Sequence, residues 1–200
     1  ESSNYQLNDL IVGINGNNFI DQAYANWGIT ATLGSLSINN TNQANNDTQG
    51  AATKGAFGKL GFNGSIAQPL PIDKTNLVAS IYGQLANKNL NSAEQIYMGG
   101  PYGVRAYPVA QGGGAQGAIA SVEVNHTLIQ DLQVGVFFDA GVVQQYITTY
   151  NNWQGQTNAN NTYSLYATGL SAKYQTPFSS RKMSSASIVL NSSLTDRKSV

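Results

Sequence analysis

Residues 117–147 read GAIASVEVNHTLIQDLQVGVFFDAGVVQQYI. From Gly117 to Leu128, Ala120, Val122, Val124 and Leu128 alternate with Ile119, Ser121, Glu123, Asn125 and Thr127. From Leu132 to Ile147, Val134, Val136, Phe138, Ala140 and Val142 alternate with Gln133, Gly135, Phe137, Asp139 and Gly141. A period of two sends successive side chains to opposite faces of a strand, so each segment has one apolar face and one small or polar face. Phe137 is the exception on the polar face. The joining residues 129–131 are few enough for an antiparallel hairpin.

The same pattern extends in both directions. Apolar faces recur as Leu10, Val12, Ile14; as Trp27, Ile29, Ala31, Leu33; as Leu60, Phe62, Gly64, Ile66; and as Leu77, Ala79, Ile81, Leu85. Beyond the hairpin they continue as Tyr166, Thr168, Leu170, Ala172, Tyr174 and as Ala186, Ile188, Leu190, Leu194. This places strands at 5–15, 24–38, 57–68, 77–88, 117–128, 132–147, 163–175 and 184–194. The connections then run short, long, short, long, short, long, short, so every long loop falls on one side of the sheet. An up-and-down antiparallel sheet with tight turns at one rim and polar loops at the other is the layout of a transmembrane β-barrel. The long loops NNTNQANNDTQGAATKG and YNNWQGQTNANN suit the watery side. Tyr24, Trp27, Phe57, Tyr146, Tyr163, Tyr174 and Phe178 lie near strand ends, where aromatic girdles form.

A soluble β-sandwich is the alternative, since its strands also alternate. Composition weighs against it: 10% of the chain is charged, where a soluble domain carries about 25%. Ten basic and ten acidic residues cancel, which disfavours a nucleic-acid binder that works by neutralising phosphate. With no cysteine and one histidine, a thiolate or multi-histidine metal site cannot be built. No apolar run approaches the roughly 18–20 residues a membrane helix needs, and the opening ESSNYQLNDL lacks the features of a signal peptide.

The longest loop contains MGGPYGVRAYPVAQGGGAQG, Met98 to Gly117. With GQLANKNLNSAEQIYMGG before it, Glu123 in SVEVNH after it and FFDAGVV at Phe137–Val143, this resembles the two-partner secretion transporters of the ShlB, FhaC and HecB type. Their sixth extracellular loop carries GG, a short spacer, VRGY or VRGF and a Gly-rich tail. The match covers residues 82–143 closely and the rest loosely. It departs at Ala106, where the family usually has Gly; a requirement for positive φ there would strain Ala by about 1 kcal/mol. It also departs at the end, TDRKSV, which lacks a terminal aromatic. The resemblance implies POTRA domains followed by a sixteen-stranded barrel, of which residues 1–200 would be the C-terminal part, strands 8 to 15, without POTRA domains or last strand.

The resemblance also implies that the loop folds into the lumen and that Arg105 touches Asp139. The alternation independently puts Asp139 and Glu123 on the face away from lipid, where a charge at the midplane would cost about 2–4 kcal/mol. The candidate loop residues are Gly99, Gly100, Gly103, Val104, Arg105 and Tyr107, with Pro108 shaping the tip. Their wall partners are Asp139, Glu123, Phe137 and Gly141, Glu123 being a second acceptor for the arginine. In a wet lumen such a pair contributes about 0–1 kcal/mol, more if water is excluded. His126 lies three positions from Glu123 and therefore on the opposite face, near the strand end and a membrane interface. No nucleophile elbow, phosphate loop or dinucleotide fingerprint is present, so no enzyme, metal or cofactor is expected. The expected function is an outer-membrane pore of a Gram-negative bacterium that exports an unfolded secreted exoprotein without nucleotide hydrolysis. Outer-membrane lipid is the other expected partner, and nucleic acid is not one. A passive porin or an outer-membrane assembly factor is the alternative.

Overall fold

The structure is a computed structural model that describes residues 5–155, 160–176 and 184–194. In chain order the elements are β1 (Tyr5–Ile20), β2 (Ala23–Ile38), α1 (Thr41–Gln49), β3 (Gly55–Pro69), β4 (Thr75–Ala86), a 3-10 turn (Ser92–Glu94), β5 (Ile96–Tyr97), β6 (Gly113–Gly114), β7 (Gln116–Ile129), β8 (Leu132–Gln144), β9 (Thr162–Thr176) and β10 (Ser184–Leu194). Eight long strands form one antiparallel sheet in the order β1-β2-β3-β4-β7-β8-β9-β10, and β5 pairs with β6 in a separate ribbon. The sheet is open, with β1 and β10 as its edges among the described residues.

Register aligns the apolar positions across the strands. Leu10 faces Leu33, Ala31 faces Leu60, Leu60 faces Leu85, Val122 faces Phe138 and Val136 faces Leu170. These side chains remain exposed: Leu33 at 66%, Val136 at 54%, Leu170 at 57%. Among the described residues no second sheet covers them, so the sandwich alternative falls. A continuous apolar band of strands 11 to 16 residues long is the wall a β-barrel turns toward lipid, and its opposite face is where the loop packs.

Among the described residues, the short connections 21–22, 70–74 and 130–131 do fall on one rim and the long ones, 39–54, 87–115 and 145–161, on the other; the short connection expected at 176–183 lies, from 177 on, outside the described residues. Three features differ from expectation by more than two residues. β1 runs on through Gly16, Asn17 and Asn18, which pair with Trp27, Asn26 and Ala25, so the first turn is reduced to Asp21 and Gln22. Asn and Gly in that run resemble a turn, but the ladder accepts them. β8 stops at Gln144 rather than 147, because Gln145 and Tyr146 bond to Asn161 across the next loop. The Asn-rich stretch 41–49 is helical, although its residues are poor helix formers: Asn40 caps it by accepting from the Gln43 N–H at 3.1 Å.

The aromatic expectation holds in part. Trp27 and Tyr174 are exposed on the apolar band, and Tyr24 packs on Phe19 beside the first turn. Phe57 and Tyr163 instead face the interior, Phe57 against Leu90 and Ala115 and Tyr163 against the main buried cluster. Tyr146 belongs to a loop cluster with Tyr150 and Trp153. Phe57 and Tyr163 take the inward parity of their strands, opposite Leu60 and Tyr166, and the loops cover them there; Tyr146 lies past the end of β8, where alternation assigns no face. Phe178 lies outside the described residues.

Candidate functional site

The loop between β4 and β7 folds over the polar face of the sheet and builds the main buried cluster there. Ile96, Met98, Val104 and Tyr107 of the loop pack against Ile119, Phe137, Val143, Leu165 and Ala167 of the wall. Met98 and Val104 are wholly buried. The hairpin braces itself: Val104 N–H donates to the Met98 carbonyl (2.7 Å), Gly103 N–H to Gly100 (3.0 Å), Gly100 N–H to Tyr107 (3.0 Å) and Gly99 N–H to Gln111 (3.0 Å). A Cβ on Gly103 would land on the Met98 carbonyl oxygen, and one on Gly99 on that of Pro108. Gly100 adopts φ +110, open to glycine and strained for other residues. Ala106 is not among the residues with positive φ, so the strain considered for it does not arise; the left-handed positions nearby are Gly100, Ala110 and Gly112.

Arg105 sits at the turn of this hairpin, beneath which Asp139 is completely buried. Its backbone N–H donates to Asp139 Oδ2 (3.1 Å), Nε to the same oxygen (2.8 Å) and Nη2 to Oδ1 (2.8 Å). Ser121, directly opposite Asp139 in the register, donates to Oδ1 (2.7 Å) and accepts from Nη2 (3.2 Å). Arg105 Nη1 bonds Glu123 Oε2. Glu123 Oε1 in turn accepts from Ser171 (3.1 Å) and Lys173 Nζ (3.0 Å). The guanidinium carbon lies 3.4 Å from the centroid of the Phe137 ring. This accounts for the aromatic on the polar face: the ring supports the flat cation while both carboxylates grip its edges.

Gly141 completes the seat, since a Cβ there would approach Met98 Sδ to 2.9 Å and Val104 Cγ2 to 3.1 Å. Thus Val104, Arg105, Tyr107, Glu123, Phe137, Asp139 and Gly141 meet in one place, while Gly99, Gly100 and Gly103 shape the turn. Pro108 closes the hairpin as a carbonyl acceptor for the Gln111 N–H. His126 is apart from them, with Nδ1 2.8 Å from Thr75 Oγ1 across the β4–β7 pair. The pair is drier than a wet lumen would make it, because Asp139 is fully covered and the Arg105 side chain is 12% exposed. Removing one partner from such an arrangement costs about 3–5 kcal/mol, well above a solvated pair.

Sequence reasoning did not assign roles to Ser121, Ser171 and Lys173. Parity gave a signal: Ser121 shares the face of Glu123, and Ser171 and Lys173 fall opposite Leu170 and Ala172 on β9. It also passed over Asn89, which is 7% exposed. Asn89 donates to the carbonyls of Ala51 (2.8 Å) and Thr148 (2.7 Å) and accepts from the Thr148 N–H (3.0 Å), tying the three long loops together.

A family model described as haemolysin secretion/activation protein ShlB/FhaC/HecB matches residues 1–159. The chain belongs to this family. It is 27% identical over 159 residues to the heme/hemopexin transporter protein HuxB of Haemophilus influenzae, an alignment covering 77% of this chain and 28% of that protein. The chain therefore spans little more than a quarter of this relative's length. ShlB/FhaC/HecB proteins reside in the outer membrane of Gram-negative bacteria, and the exposed apolar band belongs in that setting. The matched stretch contains Arg105, Ser121, Glu123 and Asp139; Ser171 and Lys173, which complete the site, lie past it.

Proposed function

We propose that this chain forms wall and lumenal loop of a translocation pore that exports a large secreted partner protein, of haemolysin or adhesin type, through the outer membrane. Family membership and a relative named as a transporter support the general activity. The observation that carries the reading at the level of residues is the docking of Arg105 on Asp139 and Glu123 beneath a fully packed hairpin. A passive porin of the same strand layout needs no such hairpin. The cargo passes as an extended chain, and its folding outside supplies direction without nucleotide hydrolysis, since a chain that gains several kcal/mol on the far side does not return. The wall contributes containment, orientation of the loop and few charges to hold a passing segment; it has no catalytic task.

The test is replacement of Arg105 by Ala in the full-length protein, with export of the secreted partner encoded beside it as readout. Export falling at least tenfold while the barrel still shows heat-modifiable migration supports the reading. Unchanged export overturns it.

A further inference from the structure

Arg105 is not the sole point at which the loop is fixed. Eleven residues earlier, Glu94 ends the 3-10 turn with 9% exposure, and its carboxylate pairs with Lys59 Nζ from β3. Lys59 projects from the same face as the rest of the loop's seat, and both side chains are largely covered, at 18% and 10%. Gln84 of β4 donates one amide nitrogen to the carbonyls of Glu94 (2.9 Å) and Ala115 (3.0 Å), clasping both stems of the loop. Between those stems the ribbon Ile96↔Gly114 and Tyr97↔Gly113 keeps the hairpin in one piece. The hairpin is therefore a preformed unit, pinned to β7 and β8 at its tip and to β3 and β4 at its root. The two pins share no residue. Asp9 on β1 lies beside the pair, close to the Glu94 carboxylate as well as to Lys59, so Lys59 stands between two carboxylates and departure of Glu94 does not strand it.

We infer that Glu94 and Lys59 form a root latch that holds the hairpin in the lumen independently of Arg105, so that opening the tip lock alone does not free it. This rests on the reading of the chain as wall and lumenal loop of a translocation pore, and it adds a positioning pair and an order of release. Either latch retains the unit in its seat, and full displacement requires both to part.

The test uses the full-length protein in outer-membrane vesicles. Residues 1–200 contain no cysteine, so Val78→Cys on β4 and Tyr102→Cys at the loop tip, which border the same small cavity, can report docking through a short bismaleimide. Crosslinking is expected to stay near the parental level in E94Q, K59Q and R105A. In R105A/E94Q and R105A/K59Q it is expected to fall roughly three- to tenfold, the loss a partly covered ion pair can produce. The charge swap K59E/E94K in the R105A background should return it to the R105A level. Double variants that crosslink like R105A, or a swap that fails to restore, overturn the latch. Export assayed in parallel separates the two readings: a freed hairpin with intact export leaves the latch standing and sinks the transport role, whereas unmoved crosslinking sinks the latch whatever export does.

Discussion

Asp139 accepts four hydrogen bonds, three of them from Arg105, and has no access to water. Its charge is tolerable only while those donors are present, so Asp139→Asn and Arg105→Ala differ in consequence. The Asn variant keeps shape and loses charge; the Ala variant leaves a buried anion. With the root pair opened by E94Q, hairpin docking, read by crosslinking or proteolysis of residues 98–112, is expected to weaken more when R105A is added than when D139N is added, and R105A with D139N in that background should resemble D139N alone there. Arg105→Lys should not rescue, because an ammonium cannot make the paired Nε and Nη2 contacts or lie flat on Phe137. Gly141→Leu is the steric counterpart: it leaves every charge in place yet fills the space of Met98 and Val104, and in the E94Q background should expel the hairpin as fully as R105A does there, with barrel formation intact by heat-modifiable migration.

The loops have their own logic at the scale of elements. Asp47 near the end of α1 accepts from the Thr53 N–H (2.9 Å), the Thr53 hydroxyl (2.7 Å) and the Lys54 N–H (2.9 Å). Partial burial pushes its carboxyl upward, but these donors, with Lys88 nearby, outweigh burial and hold it below the ordinary 3.8. A depressed folded-state value stabilises the loop above 3.8, and that contribution is lost as pH falls through the lower folded value. Protection of the amides of residues 41–54, relative to their intrinsic exchange rate at each pH, is therefore expected to fall in acid below that range, and Asp47→Asn should abolish that fall while lowering protection at neutral pH. Asn89 joins this loop to the other two. Its replacement by Ala leaves the Thr148 N–H and two carbonyls without their partner, at about 1–3 kcal/mol for an unpaired buried group. Faster exchange at residues 50–54 and 145–150 together would show the three loops acting as one cap; acceleration in a single loop would contradict that.

For the whole molecule, the two faces of the sheet should tolerate opposite changes. Val136→Arg puts a charge in the middle of the apolar band, costing about 2–4 kcal/mol if that residue meets hydrocarbon. Asn15→Arg puts it on the polar face of β1, where water can reach it. Assembly of the full-length protein into the outer membrane, followed by heat-modifiable migration, should fail or slow markedly for the first and proceed for the second. Equal assembly of both would mean that the band does not face lipid.

Period-two alternation was enough to determine the eight long strands, their up-and-down order and the rim that carries the long loops, because each strand must present one face to lipid and the other away from it. Parity also assigned Glu123, Asp139, Ser121 and Lys173 to a common face. The motif around Arg105, through its resemblance to known transporters, named the loop and its partner on the wall. Tertiary structure alone decided the remainder. Helix α1 exists because Asn40 and Asp47 satisfy its ends against poor propensity. Parity turns Phe57 and Tyr163 inward, but only the return of the loops over the sheet gives them and Tyr146 their packing partners. The Glu94–Lys59 pair and the Asn89 knot join residues 30 to 60 positions apart whose sequence neighbours give no sign of each other. Local patterning encodes which face a side chain takes; which distant partner meets it there depends on where the chain returns.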